Sequence, residues 1–367
     1  MQNTFAFAFL TACSSPSTDT GSDARTPFIP SGQDDSGSDD TADWRSHRVE
    51  PGDASTMVWG PRSEPDLGRP WVDSGAPPVP VFDCSLVPDE PTEINELEDP
   101  RGYHDVIFDT KGNLIGSDGN NLRASPDPDT SEIWVANVGG VQGMDWLPDG
   151  DMVTPGGEGI IRINPEDGKD TIAAGLYAYG VILGPDGMVY VGGTGSAVLK
   201  LDPESGDWDE FVALPGGVTS RSLDFSPDYS KLYLGSLSGG VVYAVDLDES
   251  LEPQGDPYEF ATGLGSSYHD GLGVDVCGNV YVNDYSTFSL WRITPGGDVT
   301  RLKQWTWHGD PGYGHGQSWG PSGSSVWRAD ALYIPQPYDG NTVAEIVLEI
   351  PGRNYNDGWY DVINVDD

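Results

Sequence analysis

The stretch Gln142-Gly143-Met144-Asp145-Trp146-Leu147-Pro148-Asp149-Gly150 decides the fold, because its grammar returns along the chain. A leading residue is followed by alternating apolar positions and then by a turn with Pro-Asp-Gly character. Pro presets φ for such a turn and Gly supplies the positive φ, so the chain reverses there between two strands. Outward from this stretch, the opening recurs as His104-Asp105-Val106-Ile107-Phe108 and Tyr179-Gly180-Val181-Ile182-Leu183. It recurs again as Arg221-Ser222-Leu223-Asp224-Phe225, Asp270-Gly271-Leu272-Gly273-Val274 and His315-Gly316-Gln317-Ser318-Trp319. The last residues of successive openings lie 37 to 49 positions apart. That spacing matches one four-stranded propeller blade of about 40–50 residues per repeat.

Third strands are read at Ile161-Arg162-Ile163-Asn164, Leu199-Lys200-Leu201-Asp202 and Trp291-Arg292-Ile293-Thr294. Fourth strands are read at Glu132-Ile133-Trp134-Val135, Glu210-Phe211-Val212 and Glu259-Phe260-Ala261. Thr92-Glu93-Ile94-Asn95 stands in a fourth-strand position ahead of the first opening. It is expected to complete the last blade beside a third strand at about Ala344 to Ile350, closing the ring and removing free edges. The expectation is an all-β, six-bladed β-propeller with four-stranded blades and an N-terminal strand closing the last blade. A content of 49 Gly and 30 Pro with 10% aromatics fits this turn-rich reading.

The chain of 367 residues carries 59 acidic against 18 basic side chains, a formal charge of −41. Nucleic acid needs a basic surface and is excluded as a partner. Docking on anionic headgroups is disfavoured, and no apolar stretch has the length of a membrane span. An acidic surface with few lysines also suits high ionic strength. Residues 14–91 open with Ser, Thr, Asp, Gly and Pro in low-complexity order and are expected to form a disordered acidic tether. Residues 92–367 are expected to be the propeller, acting as a monomer. Cys84 and Cys277 invite a disulfide in an exported chain, with free thiols as the alternative.

Two resemblances add to this reading. Residues 1–13 end in Leu10-Thr11-Ala12-Cys13, which resembles the lipobox of bacterial lipoproteins, although Met1-Gln2-Asn3 lacks a basic residue. The resemblance implies acylation of Cys13 and an address in the bacterial cell envelope, on the outer membrane or cell surface, held to the membrane only through the lipid. The segment His269-Asp270-Gly271-Leu272-Gly273-Val274-Asp275-Val276-Cys277-Gly278-Asn279-Val280-Tyr281-Val282 is similar to a recurring segment of the senescence-marker-protein/gluconolactonase superfamily of six-bladed propellers, with related NHL-like propellers. That resemblance implies one divalent cation, usually calcium, at the mouth of the central channel, held by residues that lead the innermost strands. Asp270 matches the family's Asp. His104 stands at the family's Glu position, and Tyr179 and Arg221 stand at its Asn positions, where an Arg repels a cation.

A propeller gathers the leading residues around one axis, so His104, Gln142, Tyr179, Arg221, Asp270 and His315 are expected to form one ring. Tyr268, His269 and Trp307 lie beside leading positions or in connectors on the same face. One reading makes this ring a water-filled structural network. A second binds a small molecule or carbohydrate by stacking on Tyr and Trp, with Asp270, Arg221, Gln142, Tyr179, Tyr268, His269 and Trp307 fixing it. A third is enzymatic: a His as general base with Arg221 stabilising an oxyanion, or His104, Asp270 and His315 holding a transition metal, as in a lactonase-type hydrolase or a lyase. A non-catalytic interaction scaffold of the envelope is the remaining alternative.

Overall fold

Each opening forms a strand because its apolar residues alternate, and each strand pairs with the next across a Gly- or Asp-bearing turn. The computed structural model describes residues 58–59 and 80–353, apart from 140, 158, 165–167, 194, 266–267, 306–316, 322–323 and 338–339. Six four-stranded antiparallel sheets result. Blade one is Val106–Phe108, Leu114–Ser117, Leu122–Ser125 and Glu132–Val135, and blade two is Asp145–Trp146, Met152–Gly156, Gly159–Asn164 and Gly168–Ala174. Blade three is Gly180–Leu183, Val189–Gly192, Ala197–Leu201 and Trp208–Ala213, and blade four is Ser220–Phe225, Lys231–Ser236, Val241–Asp246 and Tyr258–Thr262. Blade five is His269–Val274, Val280–Asp284, Ser289–Ile293 and Val299–Gln304. Blade six is Ser318–Trp319, Ala331–Gln336 and Thr342–Val347, completed by Glu93–Leu97 from the other end of the propeller sequence. The closing register sets Ile94 against Ile346 and Leu97 against Val343, as the sequence leads one to expect.

Strand side chains point alternately to the two faces of a sheet, so each blade offers an apolar face to both neighbours. The buried apolar residues accordingly fall into clusters that each span two adjacent blades, including one between blades six and one. Tyr190 of blade three packs edge-on against Phe211 of its own blade and Phe225 of blade four. Between blades one and six, Phe108 packs edge-on against Trp327 and Tyr333. Trp146 of blade two donates its Nε1–H to the Phe108 carbonyl of blade one at 2.7 Å.

Within the segment that carries the family resemblance, residues 275–279 form the turn between strands His269–Val274 and Val280–Asp284. Asp275 Oδ1 accepts from the backbone N–H groups of Cys277 and Asn279, and Oδ2 accepts from Asn279 Nδ2 and the Tyr281 hydroxyl. Asp109 does the same in blade one with Lys111 N, Asn113 N and Asn113 Nδ2. An Asp-x-x-Gly-Asn run therefore builds a hairpin tip and carries no ligand chemistry by itself.

The boundary of the packed body falls earlier than residue 92. Phe82 and Val87 pack against the cluster between blades five and six, inside the span expected to be a tether. Arg292 donates to the Pro88 carbonyl and pairs with Asp89. Cys84 is bonded to Cys277 across 193 residues, with Cα atoms 5.6 Å apart. Phe82, Cys84 and Val87 lie in a Pro- and Asp-rich context that hides their anchoring role in the sequence. Residues 14–57 and 60–79, and Cys13 with the segment before it, lie outside the described residues. Among the described residues no helix is long and apolar enough to cross a membrane.

Candidate functional site

The innermost strands approach closely because several openings carry Gly at their second position. A Cβ on Gly180 would stand 2.3 Å from the Arg221 carbonyl oxygen, and one on Gly143 would stand 2.9 Å from Gly180 Cα. Blades two, three and four therefore meet backbone to backbone around the axis. The space left is a cavity of about 120 Å³ whose lining includes His104, Gln142, Tyr179, Arg221 and Asp270. These leading residues are brought together as the repeat implies. The cavity is well below the roughly 300–1,000 Å³ of sites for drug-sized ligands.

At its centre Arg221 is fixed from two sides. Its Nε lies 2.8 Å from Asp270 Oδ1, and the Asp270 side chain is 1% exposed. Its guanidinium carbon stands 4.4 Å from the centre of the Tyr179 ring, a cation–π distance. The Tyr179 hydroxyl shares a 3.1 Å hydrogen bond with the Tyr177 hydroxyl, and this contact together with burial raises the Tyr179 pKa. Tyr177 is 66% exposed, so this chain of contacts runs from solvent to the channel axis.

Three further carboxylates in the wall were not singled out from the sequence. Asp105 accepts from Val106 N and Met144 N, Asp145 from Trp146 N and Leu183 N, and Asp224 from Phe225 N and Val274 N. In each case the second donor belongs to the next blade, so the Asp staples neighbouring innermost strands. Burial pushes Asp105 up to about 8 and Asp145 up to about 6, against the pull of these N–H groups, and it also raises Asp224. The available signal was an Asp inside an apolar alternation, where a buried carboxylate must find donors. Arg353, beyond the last repeat, completes the channel floor. It donates to Asp224 Oδ1 and to the Tyr229 hydroxyl at 3.4 Å, and stacks over Phe225 and Tyr229. Its segment is pinned by a Val276 N–H to Pro351 carbonyl bond and by Gly352, where a Cβ would lie 2.2 Å from the Trp319 ring.

Other expected site residues stand elsewhere. His269 is fully buried and does not line the cavity; its Nε2–H donates to the Leu264 carbonyl at 3.0 Å, and burial lowers its pKa. The period-2 alternation explains this: a residue next to Asp270 points away from the axis. Tyr268 is likewise absent from the lining and stands 45% exposed. His315 and Trp307 lie outside the described residues. A divalent cation does not fit at Asp270, whose carboxylate already holds the Arg221 guanidinium. Among the described residues no group of three His, Cys, Asp or Glu side chains is arranged to hold a metal.

Fold and channel thus define a closed six-bladed propeller, and solved structures of that architecture resemble it. Regucalcin, a calcium-binding protein from Agrobacterium tumefaciens, aligns at 14% identity and TM-score 0.56, over 70% of this chain and 94% of that one. A gluconolactonase from Xanthomonas campestris aligns at 15% identity and TM-score 0.55, over 71% and 89%. An auxiliary nutrient binding protein from Bacteroides ovatus aligns at 17% identity and TM-score 0.51, over 70% and 73%. At these identities the likeness establishes the fold alone. No protein-family model matches the chain, and no curated protein matches it.

Proposed function

We propose that this propeller binds an uncharged, hydroxyl-rich small molecule of the carbohydrate class at the mouth of its channel. The observation that carries the reading is Arg221, clamped between the Asp270 carboxylate and the Tyr179 ring. Its charge is balanced by Asp270, so the pair presents no net charge to a ligand at the mouth and favours a neutral one. A charge of −41 works against an anionic ligand.

The propeller is further proposed to be exported and anchored in a bacterial envelope by acylated Cys13. The Cys84–Cys277 bridge supports an oxidising compartment. Calorimetric titration of neutral mono- and disaccharides into the protein and into Arg221→Met tests the site. Binding lost in the variant supports the reading, whereas a titration panel without heat, or with equal heat in both proteins, overturns it.

A further inference from the structure

Tyrosines stand at or just before the leading ends of the innermost strands in blades three and five, on either side in the blade order of Arg221 in blade four. On the blade-three side stand Tyr177 and Tyr179, ring centres 5.3 Å apart and nearly perpendicular. On the blade-five side Tyr268 precedes Asp270 by two residues and meets Tyr285 edge-on, with ring centres 6.1 Å apart. All of these except Tyr285 sit at the leading ends of innermost strands or just before them, so the topology sets them on one face. Tyr177 and Tyr268 are exposed at 66% and 45%, outside the small cavity.

Tyr268 also holds a backbone conformation that disfavours it, with φ +67°. Other bulky residues with positive φ, namely Tyr229, Leu251 and Phe288, have side chains that pack into the apolar clusters. Burial accounts for those three. The Tyr268 side chain is largely in water, so packing does not account for a Tyr where Gly or Asn is the favoured residue. An exposed ring kept at a strained position is suited to stacking on something outside the fold.

Resting on the carbohydrate reading above, we infer that the ligand is a segment of a neutral polysaccharide chain, laid across blades three to five. One sugar faces the Arg221–Asp270 pair, and its neighbours along the chain stack on Tyr177 and Tyr268. The Tyr rings offer flat faces to sugar C–H surfaces and hydroxyls to their oxygens. Polyuronates are disfavoured by the charge of −41.

Affinity electrophoresis of the full chain through gels cast with soluble neutral glucans, mannans and xylans, and with pectate or alginate, tests this. The wild type is expected to be retarded by at least one neutral polysaccharide and by neither polyuronate. It should bind that polysaccharide at least tenfold more tightly than the monosaccharide. Tyr177→Ala and Tyr268→Gly should each weaken polysaccharide binding about tenfold, and Tyr268→Gly should leave monosaccharide binding unchanged. Tyr268→Gly should unfold at the same or a higher temperature than wild type, since Gly relieves the positive φ, which separates lost stacking from lost folding. The inference is overturned by an absence of retardation in every neutral gel, by equal retardation in polyuronate, or by Tyr variants that bind like wild type. Monosaccharide binding that needs Arg221 with inert Tyr variants sinks the chain-binding inference and leaves the mouth site standing. Retardation that needs the Tyr residues and ignores Arg221 does the reverse.

Discussion

Replacing Arg353 by Met removes one charge from the channel floor and keeps most of the apolar bulk over Phe225 and Tyr229. Asp224 then stays buried with its two backbone donors, Phe225 N and Val274 N, and without its guanidinium. Breaking a buried pair from one side is destabilising by about 3–5 kcal/mol. With a urea m-value of about 3 kcal/mol/M, that is a midpoint fall of roughly 1–1.7 M. The sign of the pH dependence follows from linkage. Burial already raises the Asp224 pKa, and losing the Arg353 charge raises it further in the folded variant. The variant's native state therefore holds a proton that its unfolded state releases, so it gains stability as pH falls toward the unfolded carboxylate value. The gap from wild type should narrow by up to about 1.4 kcal/mol per pH unit. Urea unfolding at pH 8 and pH 5.5, followed by Trp fluorescence, reads both quantities. A midpoint within experimental error of wild type, or a deficit equal at the two pH values, would refute the assignment of Arg353 as the counter-ion of Asp224.

Two further outcomes are expected. Asp105, raised to about 8, favours the folded state at low pH and loses that contribution as pH climbs from the unfolded value through 8. Its share is up to about 6 kcal/mol, and Asp105→Asn should flatten the pH–stability profile between pH 5 and 8.5 more than surface Asp→Asn changes do. The Cys84–Cys277 bridge closes a span of 193 residues, for which chain entropy allows about 5 kcal/mol. Cys84→Ser should lower the unfolding midpoint, and dithiothreitol should lower the wild type toward it; equal midpoints would count against the bridge.

The architecture was legible because the repeat is written in a period-2 code with turn residues between strands. The closing strand could be placed as well, since Glu93-Ile94-Asn95 shares the fourth-strand pattern with Glu132-Ile133-Trp134. The convergence of His104, Gln142, Tyr179, Arg221 and Asp270 followed from equivalent repeat positions. His269 could not be read correctly from adjacency, because neighbours on a strand face opposite ways. The wall carboxylates were hidden for a different reason. Asp105 sits at the second position of its opening, while Asp145 and Asp224 sit at the fourth, so no single repeat column marks them. Arg353 and the Phe82–Val87 anchor lie outside the repeats, where only long-range packing gives them meaning.

The ligand is proposed to lie across the leading ends of the innermost strands in blades three to five. Hydrogen exchange with and without the retained neutral polysaccharide tests it most directly. Slowed exchange confined to peptides spanning residues 177–182, 220–223 and 268–272 is the predicted result. Protection on the outer strands, such as Trp208–Ala213 or Tyr258–Thr262, with the channel mouth unchanged, would contradict it.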